Sequence, residues 1–382
     1  MIDFGRQNVA GVFIEMNSRS MEVIMKNMKQ EKRINDNTRT KKTGKCKKTV
    51  LTVLLTGLLM AVMLLFAGCG KQAETGTNVT DTSANDVNTT DADSTGKVNV
   101  VATIFPEYDF LRQIGGDHLN LKMLVTPGSE THSYEPTPQD IKEINEADMF
   151  VYVGGDSDEW VANIMDSVDQ SNMKVVTLMD CVSLVEEETV EGMMPDEDEG
   201  EDDADAVEYD EHVWTSPQNA KLIVQKLCNN LCEVDPAHAA DYQANTQQYL
   251  AKLDNLDQEF QNVVDHVARK EIIVGDRFPF RYFVDAYGLT YYAAFPGCST
   301  ETEASAATVK FLIDKVKEDQ IPVVFHIEMS NEKMCNSICD ATGAKSALLN
   351  AVHNVSKKDF EAGVTYLDLM EANVSTLQEA LN

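Results

Sequence analysis

The sequence is short of positive charge. Lys and Arg number 32 against 63 Asp and Glu in 382 residues, a net charge of -31. Such a balance repels phosphate backbones and anionic headgroups, so nucleic-acid binding is set aside and cations become the expected partners. Signature motifs of common enzymes are missing as well. No His-Glu-x-x-His, no Gly-x-Ser-x-Gly and no P-loop occurs, which leaves the zinc-protease, serine-hydrolase and nucleotide-hydrolase readings without their usual carriers. Nor is there a Cys-x-x-Cys of the kind that holds structural zinc or works in redox exchange. What remains is ordinary: 43% apolar and 25% charged residues exclude a disordered, collagen-like or disulfide-scaffold chain, and the length supports two domains.

The charge is unevenly placed. Residues 1–68 carry twelve basic and five acidic side chains, so the rest of the chain stands at -38. A Lys cluster from Lys41 to Lys48 runs into an uncharged apolar stretch, Val50 to Ala67, that ends at Gly68-Cys69. Charged region, apolar region and small-residue cleavage site are the parts of an export signal. A retained membrane anchor is the alternative, since ~20 apolar residues span a bilayer. Ala67-Gly68-Cys69 resembles a bacterial lipobox, with Phe66 where Leu is usual. That resemblance implies removal of residues 1–68 and lipidation of Cys69, several acyl chains holding where one binds only marginally. Met25 and Met28 offer later translation starts than Met1.

Residues 69–97 are rich in Thr, Asn, Asp, Ser and Gly and read as a flexible tether. Beyond it, β-branched runs at Val98–Thr103, Leu121–Thr126, Met149–Val153 and Val175–Leu178 alternate with helical patterns. The alternation resumes at Ile272–Val274, Thr290–Ala294 and Pro322–Ile327, and a last helix covers Tyr366–Leu381. Such a pattern predicts parallel sheets covered on both faces. Between the two sets lies an uninterrupted helical pattern over 236–270, of ~30 residues and ~45 Å. The fold class expected is therefore α/β: two lobes, each a mainly parallel sheet flanked by helices, joined by one long rigid helix. The N-terminal lobe spans 98–235 and the C-terminal lobe 271–382. Cys228 with Cys232 and Cys335 with Cys339 stand four apart, one helical turn. Plain packing, a disulfide or, least of all, a metal site account for them.

Residues 186–211 hold fifteen carboxylates and no Lys or Arg, a composition that predicts an unfolded acidic loop. Its role is either solubility alone or the weak, rapid collection of cations. Two of the seven His lie in dense contexts. His132 follows a strand in Gly-Ser-Glu-Thr-His-Ser-Tyr-Glu-Pro-Thr-Pro138, where Thr137 caps a helix opened by Pro138. A loop after a parallel strand is where open α/β sheets bind ligands. His212 lies in Asp210-Glu-His-Val-Trp-Thr-Ser-Pro217, at the exit of the acidic loop.

Together these two motifs resemble the signatures of the zinc- and manganese-binding solute-binding lipoproteins of ABC importers. Tyr287-Gly-Leu289, Lys333 onward to Thr342-Gly-Ala344, and Tyr366-Leu-Asp-Leu-Met-Glu-Ala-Asn373 extend the resemblance over the mature chain in order. The family implies two lobes bridged by a rigid helix, a transported metal in the cleft, and delivery to a membrane permease. It puts His132 and His212 on the first two ligand positions; Glu130, two residues before His132, either orients that ring or accepts a water beside it. In the C-lobe the sequence departs: the third His position is Arg277, which cannot ligate a cation, and the fourth, acidic position is Asn350. His353 is the candidate that repairs the site. Asp276 is a second candidate, or a partner of Arg277, and Glu301 or Glu303 either reach inward or neutralise Arg277. His326 reads as a satisfied core residue, and His118, His238 and His266 as ordinary polar positions.

Zn²⁺ is the expected cargo, favoured by nitrogen-rich ligation, with Mn²⁺ as the alternative. The expected location is the outer face of a cell membrane, held by the N-terminal lipid. A surface adhesin of the same fold and, further off, a zinc-dependent hydrolase are the competing readings.

Overall fold

The computed structural model describes residues 96–193, 207–299 and 303–382. The signal peptide, Cys69, all but the end of the tether, and Glu301 lie outside the described residues. In the N-lobe the chain runs β1 (Val98–Ala102), α1 (Phe105–Gly115), β2 (Leu119–Met123), α2 (Pro138–Asn145), β3 (Met149–Tyr152), α3 (Glu159–Met165) and β4 (Lys174–Thr177). Helices α4 (Pro217–Val234) and α5 (Ala239–Asp265) follow. The C-lobe is β5 (Glu271–Phe278), α6 (Arg281–Tyr287), β6 (Thr290–Pro296), α7 (Ala306–Glu318), β7 (Val323–His326), α8 (Lys333–Thr342), β8 (Lys345–Leu348), α9 (Lys357–Glu361) and α10 (Tyr366–Leu381). Each lobe has a four-stranded, all-parallel sheet, ordered β2-β1-β3-β4 in the first and β6-β5-β7-β8 in the second. Inner strands such as Met149-Phe-Val-Tyr are buried along most of their length because helices cover both faces.

Helix α5 spans both lobes because its buried stripe, Tyr242, Thr246, Tyr249, Leu253, Leu256, Phe260 and Val264, keeps to one face for 27 residues, ~40 Å of helix. Its first half meets the N-lobe, with Tyr249 and Phe110 rings 6.2 Å apart, and its second half meets the C-lobe, with Phe260 and Phe283 rings 4.8 Å apart. The helix is shorter than the pattern over 236–270 because Asp235 binds His238 Nδ1 and Tyr242 Oη in a turn ahead of it.

It is not the sole tie. Tyr366, opening α10, donates its N–H to Asp109 and its hydroxyl to the Trp214 carbonyl, and Trp214 Nε1 donates to the Ala351 carbonyl at 2.7 Å. One cluster of buried apolar side chains runs through both lobes, with a smaller one in each lobe. Edge strand β8 carries no β-branched run, and its Lys-Ser-Ala-Leu is largely exposed, which is why it escapes the sequence pattern.

The acidic segment read as unfolded over 186–211 needs correcting at both ends. Glu186 bridges Tyr209, Glu187 N–H donates to the Glu208 carbonyl, and Asp210 N–H donates to the Val185 carbonyl. The backbone pairs there although four of the six paired residues, Glu186, Glu187, Glu208 and Asp210, are acidic. Residues 194–206 lie outside the described residues. Among the described residues no helix is long and apolar enough to cross a membrane.

Candidate metal site

The ends of the parallel strands that carry loops face each other across the cleft. His132 arrives on the loop after β2, whose exit is fixed by the Thr137–Asp140 capping box and Pro138 at the start of α2. His212 stands just before the turn leading into α4, and His353 on the loop after β8. The loop carrying His132 is tied to the C-lobe, because Asn354 Nδ2 donates to the carbonyls of Thr126 and Ser129, each at 2.9 Å.

Each imidazole is held from behind by a carboxylate. His132 Nδ1 lies 3.0 Å from Glu130 Oε1, His212 Nδ1 3.1 Å from Asp210 Oδ1, and His353 Nδ1 2.9 Å from Glu328 Oε1. A carboxylate on Nδ1 keeps the proton there and leaves the Nε2 lone pair free, as in metal centres where such pairs fix tautomer and ring orientation. The three rings converge. His132 Nε2 and His212 Nε2 are 3.3 Å apart, and one ligand atom from each of the three His lies within 4.8 Å of the others. His353 Nε2 is buried without a hydrogen-bond partner, a state that an incoming ion relieves.

The walls hold the rings in place. Trp214 packs edge-on against His212 and His353, 5.5 Å from each. Gly297, after β6, is where a Cβ would lie 2.9 Å from His212 Cε1, so only glycine lets the ring lie there. Val352 adopts φ 63°, strained for a β-branched residue by ~1–3 kcal/mol. Its N–H donates to Asn350 Oδ1 and the neighbouring His353 N–H to Glu328 Oε1, both at 2.8 Å.

Electrostatics prepare two of the imidazoles. Burial drives the His132 pKa down to about 4 despite Glu130, and burial beside His212, His132 and Arg277 holds His353 well below its usual range. Both are neutral at pH 7, as ligation requires. His212 is also disfavoured as a cation by burial, but Asp210, then Glu211 and Glu187, outweigh this and raise it. Burial pushes the Glu211 carboxyl up to about 7. Glu130 is held well below the carboxylate range, first by its bond from His132 and then, against burial, by Arg277.

The remaining candidates divide. Arg277 is aimed by a register shift in β5 between Val274 and Arg277. At the bulge, a Cβ on Gly275 would lie 2.8 Å from Cys335 Cα. Its guanidinium takes both carboxylate oxygens of Glu130, at 3.4 and 3.2 Å, and the Ser299 carbonyl. The partner of Arg277 is therefore Glu130, across the cleft, and not Asp276 or Glu303. Asp276 accepts from Ser330 and from the Arg277 N–H, and Glu303 is exposed. Asn350 binds Asn373 and Val352. His326 lies 3.1 Å from the Ile327 carbonyl. His118 and His238 stack on each other far from the cleft and meet Asp241 and Asp235, and His266 bonds to the Asn262 carbonyl.

Four residues at the site had no role in the sequence reading. Asp210 and Glu328 orient imidazoles, and Glu211 lies 3.6 Å from His132 Nε2. Cys298 offers a thiol within 4.8 Å of ligand atoms of Glu211 and His212. The acid-x-His spacing of Glu130-Thr-His132 and Asp210-Glu-His212 carried a signal for two of the carboxylate braces; Glu328, 25 residues before His353, gave none. The six cysteines among the described residues are free thiols. A cleft of about 350 Å³, lined by Glu130, His132, Asp276, Arg277 and Met329 among others, opens beside His132.

Three imidazoles converging between two parallel-sheet lobes is the arrangement expected of the solute-binding class of metal transporters. The chain belongs to the family described as zinc-uptake complex component A, periplasmic, whose profile matches residues 100–380. It is 31% identical over 285 residues to the zinc-binding lipoprotein AdcA of Streptococcus pneumoniae, covering 74% of this chain and 56% of that protein. It is 30% identical over 327 residues to the high-affinity zinc uptake system protein ZnuA of Bacillus subtilis, covering 85% of this chain and 96% of that one. The chain thus spans little more than half of the pneumococcal relative. Among solved structures, the Zn(II)-bound ZnuA-like domain of S. pneumoniae AdcA superposes with a TM-score of 0.62 at 28% identity, over 75% of this chain and 99% of that one. The metal-dependent lipoprotein YcdH of B. subtilis gives 0.64 at 30% identity, over 75% and 100%. The family is one of transport components and not of enzymes.

Proposed function

We propose that this chain captures a divalent transition metal, zinc foremost and manganese as the alternative, and hands it to an ABC permease for import. His132, His212 and His353 are the protein's ligands, and the cycle is capture and release without turnover. The observation that carries this reading is the convergence of three imidazoles, one ring nitrogen of each within 4.8 Å of the others, with a carboxylate on every Nδ1. Neutral imidazoles suit zinc better than manganese, which favours oxygen donors. The names of the relatives, a zinc-binding lipoprotein and a zinc uptake protein, support the cargo and the lipid anchor at Cys69 on the outer face of a membrane. Laminin-binding proteins of the same fold, such as Lbp of Streptococcus pyogenes at 24% identity, share the architecture alone, so adhesion is the weaker reading.

Calorimetric titration of the purified chain with zinc and manganese tests the proposal. One tightly held zinc per chain is expected, with manganese weaker. His132→Ala and His212→Ala should each lower zinc affinity beyond the ~10–100-fold seen when an outer-shell partner is lost. Wild-type affinity in both variants overturns the reading.

A further inference from the structure

We infer that Glu211 supplies the fourth ligand, its Oε1 closing a tetrahedron begun by the Nε2 atoms of His132, His212 and His353; this rests on the metal reading above. The resemblance implies an acid from the C-lobe in that role, and here the C-lobe has none to give. Asn350, a neutral amide whose oxygen accepts the Val352 N–H, stands in its place, and Asp276, which accepts from Ser330 and the Arg277 N–H, falls in no metal-holding cluster with a histidine among the described residues, whereas Glu211 does.

The distances fit one ion. Zinc sits ~2.0–2.2 Å from nitrogen and carboxylate ligands, so neighbouring ligands of a tetrahedron are ~3.3–3.5 Å apart. His132 Nε2 stands 3.3 Å from His212 Nε2 and 3.6 Å from Glu211 Oε1. A ligand atom of Glu211 also lies within 4.8 Å of one of His212. Two edges of the polyhedron are therefore already near their final length.

The carboxylate is built into place. The Ser157 N–H donates to Glu211 Oε2 at 3.1 Å and the Ser157 hydroxyl to Oε1, which leaves Oε1 a second lone pair for a metal. Gly154 and Gly155, both at positive φ, turn the chain out of β3 beneath it. A Cβ on Gly155 would lie 2.7 Å from Glu211 Oε2 and 2.9 Å from its Cβ, so the glycine exists where the glutamate needs room. Glu211 is 3% exposed, and among the described residues its ion-pair partner is His132 and no Lys or Arg. A buried carboxylate held only by a hydroxyl and an amide gains most from a cation beside it. One consequence follows for capture. The N-lobe alone then carries three of four donors, so the ion is gathered there first and sealed by His353.

The test uses the chain loaded with zinc or, for spectroscopy, Co²⁺. In a crystal structure or X-ray absorption spectrum of the zinc-loaded wild type, a Glu211 oxygen is expected ~2.0–2.2 Å from the metal. Glu211→Gln, which keeps the shape and can still accept from Ser157, should alter the visible Co²⁺ spectrum and lower zinc affinity beyond the ~10–100-fold of an outer-shell loss. Thermal unfolding without metal checks that the variant is folded, and the wild-type measurement stands even if it is not. A Glu211 oxygen farther than ~3 Å, with water or Cys298 Sγ in the fourth place, overturns the inference. So does an unchanged Co²⁺ spectrum in Glu211→Gln. If zinc still depends on His132 and His212, the metal reading survives that failure; a wild type that takes no zinc overturns both.

Discussion

The two lobes repeat one plan and use it differently. Both sheets share the same strand order, and the loops after corresponding strands meet at the cleft. After the first edge strand the N-lobe offers Glu130 and His132, whereas the C-lobe offers Gly297 and Cys298, a glycine that makes room for His212. After the inner strands β3 and β7 come Ser157, which positions Glu211, and Glu328, which positions His353. After the last strands come His212 and His353. The N-lobe thus presents His132, His212 and Glu211, while the C-lobe contributes one imidazole and a cation, Arg277. On the proposed ligand set, a pseudo-symmetric frame would carry an asymmetric site, three donors from one lobe and one from the other, which casts the first as a collector and the second as a lid.

Removing the lid's donor should show the asymmetry first. His353→Ala is expected to weaken zinc beyond the ~10–100-fold of an outer-shell loss but clearly less than His212→Ala, because the three proposed N-lobe donors would remain. Titration of both variants side by side decides it. Equal losses would mean that the lobes share the ion evenly and that the collector picture is wrong. The variant takes the imidazole donor from the buried Glu328, which keeps the N–H groups of Ala351 and His353, so thermal unfolding without metal accompanies the titration.

A smaller effect comes from the C-lobe's negative contribution, the missing side chain at Gly297. Gly297→Ala puts a methyl 2.9 Å from His212 Cε1 and 3.0 Å from the Phe278 carbonyl. Overpacking of that kind costs ~1–3 kcal/mol and here falls on the most deeply buried ligand. A drop in melting temperature without metal, with a parallel loss of zinc affinity, is expected. A drop in stability alone would show that His212 is not displaced.

Much of this architecture could be read in the chain before the fold was known. Period-two and apolar runs located seven of eight strands, and the uninterrupted helical stripe located α5, because burial on both faces of a parallel sheet leaves little freedom in composition. β8 was hidden because an exposed edge needs no such run. At the site, His132 and His212 stood out as rare residue types in dense motifs, whereas His353 came into view only as a candidate to repair a C-lobe that carries Arg277 and Asn350 where the resemblance expects ligands. Glu211 was lost among fifteen acids of one segment; nothing in composition singles out the carboxylate that folds back against Ser157. Arg277 and Glu130 each drew notice in the sequence, but their pairing was hidden, since it joins residues 147 positions apart.

That pair gives the smallest and most discriminating comparison. Arg277 Nη1 stands 3.3 Å from His132 Nδ1, the side away from the converging Nε2 atoms, so the cation holds the lobes together without entering the ligand set. Glu130 is 42% exposed at its side chain, and a half-exposed ion pair contributes under ~1 kcal/mol to stability. Arg277→Ala should therefore leave melting temperature and equilibrium zinc affinity near wild type, the affinity within ~10-fold. Loss of the latch should instead speed release of zinc to a chelator in stopped-flow mixing. Salt should accelerate release from the wild type by screening the pair and have less effect on the variant. If Arg277→Ala changes affinity by more than ~100-fold and leaves release per bound ion unaltered, the C-lobe shapes the ligand set itself, and its description as a lid fails.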